Sequence, residues 1–293
     1  MKYKLLLLLC IASVSYCAAQ SKEELIDVII KRNVYESEHI GNWMLSRQYA
    51  AFQELAGMLS KKELVKLSNH KNGVLRTYAC AYLIDHNEAD PAALFVNELK
   101  RSETIETLDG CLGDEDFTSQ IIYFCYRTKI CLEAAKDIQY EEKAKREKAM
   151  ADILTTDSKM KELDSIVIST DLKPDYYLYR MAFENNNFSP ALLPEIEKLG
   201  FQKHNPYAIG YLTTAYPEVY KDLALKHYTF QFPKLTFSDD DRNGMMYFHE
   251  FLELLLKTGD KKIQQIAVNS LKKSQYSDWP WFKNTFEEYN VKI

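Results

Sequence analysis

The chain has 293 residues, and its 37 lysines and arginines against 42 aspartates and glutamates leave a formal net charge of -5 at pH 7. A mildly acidic chain without a basic block argues against nucleic acid or anionic lipid as the partner. With only 9 glycines and 8 prolines, it is poorly supplied for a fold built on many tight turns, so the expected fold class is all-α.

In chain order, the sequence opens on MKYKLLLLLCIASVSYCAAQ, where Lys2 and Lys4 precede an apolar run from Leu5 to about Tyr16 and then small residues. This is the plan of a secretory signal peptide, whose apolar run is too short to span a bilayer. Cleavage is expected after Ala19, which makes 1-19 the signal and 20-293 a single helical domain exported to the periplasm or cell surface. A lipoprotein anchor at Cys17 ranks below simple export, because Tyr16 is bulky where such signals place a small residue. Export removes Cys10 and Cys17 and leaves Cys80, Cys111, Cys125 and Cys131. Two disulfides, one, or free thiols are all compatible with that set, and the three possible full pairings stay open. The spacing does not suggest a metal site, and no cofactor is expected.

Helix starts are well signed. Ser21 with Glu24 forms a capping box pattern before ELIDVIIKR, and Asp90-Pro91 places an N-cap and a first-turn proline before AALFVNELKR. Between them NGVLRTYACAYLIDHN, residues 72 to 87, sets Val74, Tyr78 and Tyr82 beside Leu75, Ala79 and Leu83 on one apolar face. Arg76 and Cys80 then fall on the border of that face, where Arg76→Gln is expected to cost less than a large residue at Ala79. The mixed charges of QYEEKAKREKAM, 139 to 150, predict a solvated helix with Glu141 facing Lys145 and Glu142 facing Arg146. SIVIST, 165 to 170, is a candidate extended piece. Ser189-Pro190 opens ALLPEIEKLG with Gly200 as its stop, and Asp260 opens KKIQQIAVNSLKK directly after Gly259. HYTFQFPKLTF, 227 to 237, alternates like a strand but contains Pro233, which predicts an extended connection over the helices.

Three segments share one packing pattern. Arg76-x-x-Ala79-x-x-x-Leu83 is echoed by Asn205-x-x-Ala208-x-x-x-Leu212 and by Gln264-x-x-Ala267-x-x-x-Leu271. This resembles the HEAT class of helical repeats, over residues 61 to 102 and in the two later segments. The resemblance implies an irregular α-α superhelix of stacked helix pairs, with a surface that binds macromolecules and no chemistry of its own.

Candidate sites are sparse. His249 and Glu253 in HEFLE sit four apart on one helix face, but a zinc protease motif needs a histidine where Glu253 stands. Tyr176, Tyr177 and Tyr179 beside Asp175, and Trp279, Trp281 and Phe282 beside Asp278, can stack on sugar rings or fill gaps between helices. Asp114, Glu115 and Asp116 form an acidic cluster, and Asp164-Ser165-Ile166 matches a short O-glycan acceptor pattern. Catalytic triad, phosphate-loop and dinucleotide signatures are absent from the sequence. The expected function is an exported, non-catalytic helical scaffold for a protein or peptide partner, its catalytic, cofactor and metal residues none. The alternatives are a glycan-binding or glycan-processing helical protein using the Tyr and Trp clusters, or an inhibitor of a secreted toxin.

Overall fold

The computed structural model describes residues 20-185, 188-238 and 242-293. The expected signal over 1-19, with Cys10 and Cys17, lies outside the described residues. The described chain is mainly helical, with fifteen α-helices and a four-stranded sheet. It divides into two compact units, one formed by the residues up to Asp90 together with Arg101–Ile122, the other by Pro91–Lys100 and Tyr123–Ile293.

The first unit begins with α1 (Lys22–Arg32), whose Ser21 and Glu24 side chains make the expected reciprocal cap. Next come β1 (Tyr35–Ile40), β2 (Met44–Leu45), α2 (Arg47–Met58), α3 (Lys61–Leu67) and α4 (Gly73–Asp85). After α5 (Pro91–Arg101) the chain forms β3 (Thr104–Gly110) and β4 (Leu112–Phe117). The sheet order is β2-β1-β3-β4, with β1 and β3 parallel and the other pairs antiparallel. This sheet corrects the all-α expectation. Its strands are short and acid-rich, and β1 finds its parallel partner about seventy residues away in sequence, Tyr35 facing Thr107; no local pattern carries such a pairing.

Helix α4 is the centre of this unit. Every residue from Gly73 to Cys80 is buried, together with Leu83 and Ile84, because α1, α2, α3, β1 and β3 all pack against it. Arg76 and Cys80 are therefore core residues, not border residues. The Arg76 guanidinium donates to the carbonyls of His70 (2.7 Å) and Lys71 (3.4 Å) and pairs with Glu103. Tyr78 stacks on Phe52 at 5.1 Å and bonds both backbone groups of Glu36. Cys80 is not in a disulfide and its Sγ donates to the Ser68 carbonyl (3.9 Å), and Cys111, Cys125 and Cys131 are unbridged as well.

The second unit takes α5, with its buried Leu94 and Phe95, and most of α6 (Thr118–Ala135). Ahead lie α7 (Lys143–Thr156), α8 (Ser158–Ser169), α9 (Tyr176–Asn185), α10 (Leu193–Glu197) and α11 (Pro206–Ala215). The last four helices are α12 (Pro217–Phe230), α13 (Arg242–Lys257), α14 (Lys261–Lys273) and α15 (Pro280–Glu288). Helices adjacent in sequence pack in succession, and around α13 a core closes from Phe232, Phe248, Phe251, Leu255, Leu271 and Phe286.

Several local expectations change here. SIVIST is the last turns of α8, since Val167 and Ile168 are buried against its neighbours. Of 227 to 237, the first four residues end α12, Phe232–Lys234 is a single 3-10 turn, and only 235 to 238 runs free of regular structure. Gly200 does not stop a helix; it lies inside a π-turn, Lys198–Gln202, where an added Cβ would stand 3.2 Å from Ile209. Arg146 ignores Glu142 and donates instead to the carbonyls of Ala135 (3.0 Å) and Ile138 (2.9 Å). Lys145 pairs with Glu142, the residue capping α7.

Candidate binding surface

The two tight turns of the sheet meet at one end. Gly41 and Gly110 take the left-handed conformation, φ 55° and 56°, that these reversals require. The Gly41 amide donates to the Gly110 carbonyl at 2.9 Å, and the Cys111 thiol donates to the Gly41 carbonyl at 3.6 Å. The β1-β2 and β3-β4 turns are thereby stitched into one structure with four large apolar side chains at its end. Trp43 is 84% exposed, Met44 62%, Leu45 56% and Leu112 78%. Trp43 also holds a positive φ, 61°, which is uncommon for a bulky residue and costs conformational energy. A shallow cleft of about 440 Å³ opens between the turns, lined by Ser37, Glu38, His39, Trp43, Asp109 and Cys111.

Such a cluster is costly to hold in water. Burying a large apolar side chain contributes roughly 1.5 to 3 kcal/mol, so four left exposed on one tip form a ready anchor for a partner. The rest of the unit makes the tip rigid. Glu36 beside it is buried and accepts from Arg32 Nε (2.9 Å) and Ser46 Oγ (2.7 Å), while Ser46 caps α2 through the Tyr49 amide. Sequence reasoning passed over these four residues; the available signal was an apolar WML run directly after Gly41-Asn42, with a second glycine turn at Gly110.

The residues singled out from sequence sit elsewhere and do not assemble a reaction centre. His249 is buried, stacks on Trp281 at 4.0 Å and bonds Thr285 Oγ1 through Nε2 at 2.8 Å. Burial holds its imidazole below the usual pKa despite Glu253, and Glu253 turns to Lys257 at 3.2 Å. Among the described residues no group of three or more His, Cys, Asp and Glu side chains is placed to hold a metal ion. Asp175 is 3% exposed and caps the Tyr177 amide, so it does not stand beside an open tyrosine platform. Tyr179 is buried, Tyr176 and Tyr177 are half-buried, and Trp279 and Trp281 are 46% and 40% exposed. Asp114, Glu115 and Asp116 lie along β4.

The O-glycan pattern lies inside α8, where Ser165, whose hydroxyl would carry the glycan, is half-buried and donates to the Lys161 carbonyl (2.7 Å), beside a buried Asp164. Asp164 is 4% exposed and accepts from Tyr123 Oη (2.5 Å) and Asn185 Nδ2 (3.1 Å). Desolvation outweighs those two bonds and raises its pKa to about 7. A second buried polar contact joins His204 Nδ1 and His227 Nε2 at 2.9 Å, and burial pulls His227 down to about 4, so its ring is neutral above that pH. Both are packed inside the second unit. No family model matches the chain, and neither a curated protein nor a solved structure matches it.

Proposed function

We propose that this protein is a non-catalytic helical scaffold that binds a protein or peptide partner through the joined hairpin tips. One observation carries the reading: four large apolar side chains, led by Trp43 at 84% exposure, project from the ends of two hairpins joined by a backbone bond and a thiol contact. A rigid, exposed apolar anchor is what a docking surface needs and what a soluble fold otherwise avoids. Export to the periplasm or cell surface belongs to this reading on the strength of the first nineteen residues. So does a HEAT-like stacking of helix pairs, supported by the complete burial of Ala79, Ala208 and Ala267 with Leu83, Leu212 and Leu271. In each segment the leading polar residue ties its helix down: Arg76 as described, Asn205 to the Ala208 amide and Tyr247 Oη, Gln264 to the Leu256 carbonyl. No helix among the described residues is long and apolar enough to cross a membrane.

The test compares the full chain with a Trp43→Ala, Leu112→Ser variant in affinity capture from an envelope fraction. A partner recovered by the first and lost by the second, at an unchanged melting temperature, is the expected outcome. Equal recovery by both removes the tips from the reading. The glycan alternative has one supporting observation, the partial exposure of Trp279 and Trp281; retention of oligosaccharide that is abolished by Trp279→Ala would move the function there.

A further inference from the structure

Charge around the tips says what kind of partner they fit. Residues 33 to 46, which carry β1 and β2, and residues 102 to 117, which carry β3 and β4, contain no lysine or arginine. Three of their acids are used inside the fold, Glu36 by Arg32, Glu103 by Arg76, and Asp116 by Thr107 and Gln120. Glu38, Glu106, Asp109, Asp114 and Glu115 are exposed. Glu38 and Asp109 line the cleft beside Trp43, and Asp109 stands directly across the ladder from Leu112.

Farther along the same hairpin, Glu106 and Glu115 face each other in register. Like charges directly opposite on neighbouring strands work against the sheet, and opposite charges there support it. Glu115 accepts from Thr104 Oγ1, which steadies its carboxylate without neutralising it. That pair lies on the opposite face of the ladder from Asp109 and Leu112, in a cleft that Arg32 and Lys71 also line, so the chain's own cations already stand near it and the acids free to meet a partner at the tip are Glu38 and Asp109. A second copy of this chain would bring another acidic edge to β4 and be repelled, and an anionic lipid surface would be repelled in the same way.

We infer that the hairpin tips dock a cationic protein segment, one that offers an apolar pocket to Trp43 and Leu112 and lysine or arginine side chains to Glu38 and Asp109. This rests on the docking role proposed above and adds the partner's chemistry to it. The apolar tip supplies the holding contact, and the carboxylates supply steering and selectivity, which act at the rim and respond to salt.

The experiment uses the full chain with Trp279→Phe and Trp281→Phe, which leaves Trp43 as the sole tryptophan of the original three. Calorimetric titration of the unaltered chain runs in parallel. The probes are a synthetic peptide of alternating leucine and lysine, its leucine and glutamate counterpart, and vesicles of neutral or of anionic phospholipid. The lysine peptide is expected to shift Trp43 emission to the blue, with affinity falling about tenfold between low and physiological salt. Glu38→Gln and Asp109→Asn together should weaken that binding about tenfold, flatten its salt dependence and leave the melting temperature unchanged. Equal binding of both peptides overturns the cationic assignment and leaves the docking role standing. A shift with vesicles and neither peptide, or with no probe at all, overturns both.

Discussion

Arg76 is the residue whose meaning changes most between sequence and structure. On a helical wheel it borders an apolar face, which makes Arg76→Gln the mild substitution and a large residue at Ala79 the severe one. Its guanidinium is in fact fully buried, bonded to two carbonyls and to the Glu103 carboxylate. Removing one member of such a set leaves the others desolvated, at a cost of about 3 kcal/mol, whereas overpacking at Ala79 costs about 1 to 3 kcal/mol. The order is expected to reverse: chemical denaturation should show Arg76→Gln losing at least as much stability as Ala79→Leu. Asp164 carries a second expectation. Its folded pKa, about 7, lies above the unfolded value of 3.8, so the native state holds the proton more tightly. Its contribution is present below about pH 4 and is lost as pH rises through 7, on the order of 4 kcal/mol in all. Asp164→Asn removes that titration, and rotation of the Asn185 amide lets its Oδ1, buried without a partner, meet the new donor. Thermal melts from pH 4 to 8 should show the gap between wild type and Asp164→Asn closing or reversing towards pH 8; a constant gap would refute the buried-acid account.

At the scale of elements, caps were legible and long-range contacts were not. The Ser21-Glu24 box and the start of α14 at Asp260 follow from local bonds within a turn, so four or five letters suffice to write them. Asp260 Oδ1 accepts from the Lys262 and Ile263 amides, and Asp260→Ala is expected to lower stability by about 1 kcal/mol in thermal unfolding. Gly200 shows the opposite case. A glycine closing ALLPEIEKLG looks like a helix stop, yet its role is to let the Ile209 backbone approach, with Ile209 N only 3.3 Å from where a Cβ would sit. Gly200→Ala should therefore destabilise by strain and not by a lost left-handed turn. The strands were illegible for a related reason. YESEHI and LGDEDF have little apolar alternation of their own, and they become strands because β3 lies between them with buried Ile105.

At the scale of the whole molecule, the first unit is discontinuous in sequence: β1 needs β3, Arg76 needs Glu103, and both partners come after α5. A fragment of residues 20-90 is expected to show no cooperative melt by circular dichroism, because half its sheet and the counter-charge in its core are missing. The tip itself exists only at this scale, since Trp43 and Leu112 lie about seventy positions apart and are brought to the same end of the sheet by the bond from Gly41 to Gly110. Composition, helix periodicity and capping residues were enough by themselves to determine a mainly helical chain and the helix starts at Ser21, Asp90-Pro91 and Asp260, because each rests on interactions within one or two turns. Tertiary structure alone decided that a small acidic sheet exists, that Arg76 and Asp164 lie in the core, and that the Trp43-Met44-Leu45 run and Leu112 come to the same end of that sheet, because each depends on groups brought together across loops that no local pattern encodes.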